Sequence, residues 1–227
     1  MLKTRSSDKL HLVIDDKPVE QVKSIRYLGI EIDENLKWNS HIAQLSKSLS
    51  YKIFSLGKLR HILNKTLLNI LYKSIIQPCF DYAISVWGNK IGSNALSKLF
   101  RLQKRAARYV TGNFDYVNYS GEQIVKEIKW TSIEQRRDYF LANLMYKCIH
   151  GLAPSRLCNN IEMVCERHDV RTRNYNTLNV VPPKPNIECF KKCFMYSAAQ
   201  VWNKLPDSLK NAVSVNSFKL SYKKMYF

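Results

Sequence analysis

Asp15 and Asp16 follow the apolar run Leu12-Val13-Ile14. Paired carboxylates at the end of a hydrophobic strand are what a metal-dependent polymerase uses to hold two cations. That chemistry needs at least one further carboxylate from another strand. Upstream of the pair the sequence offers Asp8 alone, and Lys17-Pro18 directly after it reads as a hairpin turn. A turn is the better reading, and a metal-dependent nuclease built on these residues is the rival. Asp33-Glu34 likewise reads as a solvated turn after a strand. No G-x-S-x-G, P-loop or strand-preceded G-x-G-x-x-G occurs. His11, His41, His61, His150 and His168 show no H-E-x-x-H spacing. Six cysteines (Cys79, Cys148, Cys158, Cys165, Cys189, Cys193) are scattered without a CxxC pair, so they are expected as reduced thiols that mostly fill core space. Cys158, Cys165, His168, Cys189 and Cys193 tempt a zinc reading, but their gaps fit neither a knuckle nor a ribbon.

Binding chemistry is more legible than catalysis. Lys98, Arg101, Lys104, Arg105 and Arg108 are expected along one side of a helix, opposite Leu96, Leu99, Leu102, Ala106 and Val110. Five cations in a row suit a phosphate backbone. An ordinary solvated face is the alternative, yet no Asp or Glu occurs between residues 82 and 114, where such a face tends to mix signs. Lys47 and Lys52, and Arg171 and Arg173 further on, are candidate supports. Tyr51, Tyr72 and Tyr109 each adjoin a cation and offer rings for stacking, or simply fill the core. Arg136-Arg137 either meets phosphate or pairs with Glu134 and Asp138, the latter being favoured.

The whole composition points the same way. The chain has 227 residues, 45% of them hydrophobic, which is too apolar for a disordered tail and enough for one large domain or two small ones. Lys plus Arg total 36 against 18 for Asp plus Glu, a formal net charge of +18. Such a surface repels itself and calls for a polyanionic partner, nucleic acid or an anionic membrane. No apolar stretch approaches the roughly 18 residues of a membrane span, and Met1-Leu2-Lys3-Thr4-Arg5 lacks the apolar core of a signal peptide. The expectation is an intracellular protein, nuclear or cytoplasmic.

These residues need elements to position them. Residues 10–32 alternate like strands: Leu10 to Ile14, a return at Val19 to Val22, and a third strand from Ser24 to Ile32 in which Gly29 marks a bulge or a close backbone approach. Trp38, Ile42, Leu45, Leu49, Ile53 and Leu56 then recur at helical spacing, with Asn39 or Ser40 as the cap. A second apolar helix, through Leu67, Leu68, Leu71, Ile75 and Ile76, must bend or stop near Pro78. The basic helix ends at Thr111-Gly112-Asn113, and another starts at Thr131 with Glu134 at capping-box spacing and stops at Gly151. Residues 166–193, with Pro182-Pro183-Lys184-Pro185, read as an extended basic connector before a last helical pair. The fold class expected is α+β, mostly α, with a short N-terminal β element, a helical bundle and an irregular basic C-terminal part.

Several segments resemble, in order, the C-terminal part of reverse transcriptases of non-LTR retrotransposons of the jockey and CR1 kind. Tyr27-Leu28-Gly29-Ile30-Glu31-Ile32-Asp33 with Leu36-Lys37-Trp38 and His41-Ile42 is similar to that family's "YLG-x-x-ID…L-x-W-x-x-H-I". Leu71 to Pro78 resembles "LY-x-S-x-I-x-P", and Tyr82 with Val86-Trp87-Gly88 resembles "Y-x-x-x-VWG". Leu102 to Arg108 matches "LQ-x-x-A-x-R". Downstream, Arg136-Arg137 with Tyr146-Lys147, Arg171-Thr172-Arg173, and Trp202-Asn203-Lys204-Leu205-Pro206 with Phe218-Lys219 follow the family's remaining motifs.

The resemblance implies that residues 1–37 are the end of a palm, with Tyr27, Leu28 and Gly29 primer-grip-like. It implies a thumb at 38–113 and a post-polymerase tail at 114–227. In the family the thumb holds template–primer, so RNA, DNA or their hybrid is the implied partner, together with the palm or another element-encoded protein. The catalytic aspartates would lie before residue 1, so this chain alone is expected to be inactive and to hold no cofactor, magnesium belonging to the full-length family enzyme. A scaffold remnant of a decayed mobile element remains the other reading.

Overall fold

Two short antiparallel hairpins open the chain in the computed structural model, which describes residues 12–89, 91–167, 178–186 and 188–227. Strands β1 (Val13–Ile14) and β2 (Lys17–Pro18) pair across Asp15-Asp16. Both aspartates have positive φ, as a two-residue type I′ turn requires, so the carboxylate pair is the turn itself. Strands β3 (Ser24–Tyr27) and β4 (Ile30–Asp33) pair the same way across Leu28-Gly29, with Tyr27 opposite Ile30. The single third strand expected from Ser24 to Ile32 is therefore a hairpin. Gly29, at φ +80°, is its corner rather than a bulge. Periodicity misses this because alternation continues on both sides of a two-residue turn.

Helix α1 (Asn39–Leu59) buries Ile42, Leu49, Ile53 and Leu56, the stripe its spacing predicts. Burial of each such side chain stabilises by roughly 1.5–3 kcal/mol, which outweighs the missing side-chain cap. Neither Asn39 nor Ser40 caps this helix. The N-cap is Trp38, in the left-handed region at φ 63°, and the Asp33 carboxylate accepts the backbone N–H groups of Asn35, Lys37 and Trp38 at 3.1, 3.0 and 2.6 Å. Burial raises the Asp33 pKa, but these donors together bring it below the ordinary value.

Helix α2 (Lys65–Leu71) runs into a π turn (Tyr72–Ile76) and then α3 (Gln77–Asp81). Pro78 forces this: it has no N–H, and its ring would crowd the Ser74 carbonyl in a regular helix. The wider turn, in which the Gln77 N–H reaches Tyr72 O, absorbs the conflict. Helix α4 (Ile84–Trp87) then seats Trp87, whose Nε1 donates to Tyr82 O at 2.8 Å. A Cβ on Gly88 would meet Ile84 O at 2.5 Å. Helix α5 (Ser93–Thr111) ends at Gly112 as expected, with φ 73°.

Helices α6 (Gly121–Glu127) and α7 (Ile133–Ile149) both carry capping boxes, Ser120 with Gln123 and Ser132 with Gln135, the second one residue past the expected Thr131. Beyond lie α8 (Ser155–Cys158), α9 (Val164–Arg167), α10 (Glu188–Lys191), α11 (Phe194–Asn203), α12 (Asp207–Lys210) and α13 (Val215–Tyr226). The architecture is mostly helical, α+β in class, and among the described residues its β structure comprises the N-terminal hairpins and a bridge between Met163 and Val180.

Two apolar cores result. The first gathers Trp38, Leu49, Phe80, Trp87, Leu99 and Ala106, and takes in Ile124, Trp130 and Ile133, which lie past the boundary expected at residue 113. The second gathers Leu141, Met145, Tyr146, Ala198, Trp202 and Phe218. Part of the stretch expected to be an extended connector belongs to this second core. Asn203 exchanges two 2.9 Å hydrogen bonds with the Val180 backbone, Trp202 Nε1 donates to Leu178 O at 2.8 Å, and Val180 is buried. Satisfying that backbone from the W-N pair is what makes its burial possible.

Candidate nucleic-acid interface

Helix α5 sorts its five expected cations into three kinds. Lys98, Arg101 and Arg105 are exposed, on the side away from buried Leu99, Ala106 and Val110. Lys104 is half-buried, its Nζ 2.8 Å from Glu122 Oε1. Arg108 is buried, and its guanidinium donates to the carbonyls of Asn113 and Asp115 (3.2 Å each) and of Tyr119 (2.7 Å). Arg108 therefore does not belong to the exposed basic face. The chain turns back after Gly112, and the unpaired carbonyls of that loop converge where an always-charged five-donor fork can satisfy them.

The structure adds partners from α1 that the linear pattern does not disclose. Gly57 lies against the Tyr109 ring, where a Cβ would come within 2.9 Å. That contact brings the end of α1 to the end of α5. One cleft of about 530 Å³ is lined by Arg101, Lys104, Arg105, Arg108, Tyr109, Phe114 and Tyr116. A second, of about 480 Å³, is lined by Lys58, Arg60, His61, Phe54, and again Tyr109 and Phe114. The Arg60 guanidinium stands 4.5 Å from the Phe114 ring centre, and Arg108 stands 4.1 Å from that of Tyr116. No Asp or Glu lines either cleft. Arg60, Phe114 and Tyr116 are the residues sequence reasoning misses; the cation at the end of a helix stripe and the rings after Gly112 were the available signals.

The remaining candidates lie elsewhere. Lys52 lines a different cleft, of about 650 Å³, together with Arg26, Gly29, His41, Cys79 and Tyr82, and its Nζ is 2.9 Å from Cys79 Sγ. Tyr27 and Leu28 are exposed beside it, and Tyr82 Oη donates to Leu28 O at 2.6 Å, fixing the hairpin tip. Lys47 is exposed on α1 and lines neither cleft of the α5 end. Arg171 and Arg173 fall outside the described residues, as does His168.

Arg136 does not pair with Glu134. It forms a bidentate ion pair with Asp81 of α3, while Arg137 pairs with Asp138 at 2.8 Å. Burial of Asp81 raises its pKa, and Arg136 opposes that.

The described acids form no magnesium site. Asp15 and Asp16 are exposed at a hairpin corner, and no group of three His, Cys, Asp or Glu residues that could hold a metal occurs among the described residues. The zinc reading gains nothing there either, although His168 and the Cys189 side chain are not described. Of the described cysteines, Cys148 alone is buried, so the expectation that thiols mostly fill the core is corrected. Burial, with Cys158 nearby, pushes the Cys148 thiol up to about 11. Among the described residues no helix is long and apolar enough to cross a membrane.

No protein-family model matches the chain, and no solved structure matches it significantly. Two Drosophila melanogaster proteins do share similarity with it. They are a probable RNA-directed DNA polymerase from transposon X-element and the RNA-directed DNA polymerase from mobile element jockey. Each is 28% identical over 102 residues, which is 44% of this chain and 11% of the relative. The chain thus matches about a tenth of the length of these relatives. Over that stretch it is distantly related to the RNA-directed DNA polymerases of non-LTR mobile elements.

Proposed function

We propose that this chain is a C-terminal, thumb-and-tail part of such a polymerase, and that it binds the phosphate backbone of RNA, DNA or their hybrid without reading sequence. The observation that carries this is the exposed row Lys98, Arg101 and Arg105 beside two clefts that no carboxylate lines. Cations outnumber carboxylates here, Glu122 on Lys104 being the exception, and such an excess attracts a polyanion and releases its counterions. Residues 1–37 take the role of a palm end and 38–113 that of a thumb, with the hairpin tip at Tyr27, Leu28 and Gly29 placed by Tyr82 as a primer grip would be. Lys47 and Lys52 supply secondary contacts from α1.

A salt titration of binding to a short duplex is the test. Affinity falls steeply with salt, and replacing Lys98, Arg101 and Arg105 by Ala flattens the slope by about 0.9 per lost contact, near 3 in total. An unchanged slope moves the site elsewhere. The chain alone adds no nucleotides to a primed template with magnesium; incorporation abolished by Asp15→Asn and Asp16→Asn overturns that.

A further inference from the structure

The loop that closes around Arg108 has features that gripping a duplex backbone does not explain. It places Tyr116 71% exposed, Val117 92% exposed and Tyr119 46% exposed, a costly display of apolar surface on one short turn. The display is rigid by construction. Arg108 holds three of the loop's carbonyls, and the Asp115 carboxylate accepts the N–H groups of Val117 and Asn118 at 3.0 and 2.9 Å. The Arg108 guanidinium also underlies the Tyr116 ring. A ring fixed in place and open to water loses little freedom when something flat settles on it.

The clefts beside it carry the matching chemistry. Tyr109 and Phe114 form a wall between them, rings 5.9 Å apart, with Arg60 over Phe114 and Arg105 near Tyr109. Each cleft falls in the roughly 300–1,000 Å³ range that takes a small ligand. Cations at the rim and aromatic faces within suit a ligand that is both anionic and flat. Paired bases hide their faces in the stack, whereas unpaired bases offer them.

We propose that this arginine–aromatic groove, where the ends of α1 and α5 meet, holds unpaired nucleotides of a single strand. Bases stack on Tyr116 and Phe114, and phosphates lie along Arg101, Arg105 and Arg60. Arg108 is a positioning residue that fixes the loop. The assignment rests on the nucleic-acid reading above and adds which form of nucleic acid the site takes.

The experiment uses the full chain with three probes: a blunt duplex, the same duplex with a single-stranded tail, and an unpaired oligonucleotide carrying 2-aminopurine. The tail raises affinity over the blunt duplex, and binding quenches the 2-aminopurine as it stacks. Tyr116→Ala lowers single-strand affinity about tenfold, within the range for losing one stacked base, abolishes the quench, and lowers blunt-duplex affinity by much less. Tyr116→Phe keeps both. Tyr116 belongs to neither apolar core, and an unaltered thermal melt confirms the variant is folded. Equal affinity for tailed and blunt duplexes without quenching overturns the groove but leaves backbone binding intact. Failure of all three probes in the wild type overturns the backbone reading itself. Equally tight binding of a polyglutamate peptide makes the groove an acidic-peptide site and overturns the proposal.

Discussion

Arg108 shows what a charged side chain is worth when its partners are backbone. Hydrogen bonds to a charged group stabilise by about 1.5–3 kcal/mol each, and this guanidinium makes three. Arg108→Ala should lower unfolding stability by at least about 2 kcal/mol in a urea titration and open residues 113–119 to limited proteolysis. An exposed neighbour, Arg105→Ala, should leave both within about 0.5 kcal/mol of the parent. Charge and spacing alone place Arg108 with its neighbours, because helical phase brings residues 98, 101, 105 and 108 near one face. What the linear pattern lacks is the returning loop, whose carbonyls claim the last of the series. The same holds for several other residues that carry the resemblance. Gln103 donates to Thr131 O at 2.8 Å, Tyr146 to Ala212 O at 2.6 Å, and Trp87 and Phe218 are fully buried. These four residues hold the architecture together, so they say little about where a ligand sits.

At the level of elements, apolar phase is faithful and turns are not. The stripe of α1 and the Gly112 stop of α5 follow from spacing alone, since burial repeats every three or four residues. The β3–β4 corner escapes because Leu28 holds a left-handed φ of 47°, a conformation an isolated leucine avoids. Tyr82, 54 residues away, supplies the hydrogen bond that keeps it there. Leu28→Asn should therefore raise stability by about 1 kcal/mol, read as a higher thermal midpoint, because Asn tolerates that region and forms the preferred Asn-Gly turn. If the tip acts as a primer grip, the same variant weakens template–primer binding while gaining stability. Unchanged binding confines the corner to a structural part.

At the scale of the whole molecule, the β3–β4 hairpin adjoins the helical body along α1, where His41 lies within the influence of Glu31. The His41 ring lies 5.7 Å from that of Trp87, and burial lowers its pKa, with Glu31 of β4 pulling weakly the other way. Since the unfolded chain takes up this proton at higher pH than the folded one, stability rises with pH through the window just below 6.5 and is complete above it. Urea midpoints at pH 5 and pH 7.5 should differ accordingly, and His41→Gln should remove that part of the difference. An identical pH response in the variant assigns it to other groups. The two cores, for their part, are joined by α7. Ile133 sits in the first, Met145 in the second, and Phe140 touches both, while Arg136 clamps the rod to Asp81. One continuous helix therefore contributes side chains to both cores. Because α11 and α13 pack on the helix that Arg136 ties to α3, a substitution on the buried side of α7 reaches into both cores at once.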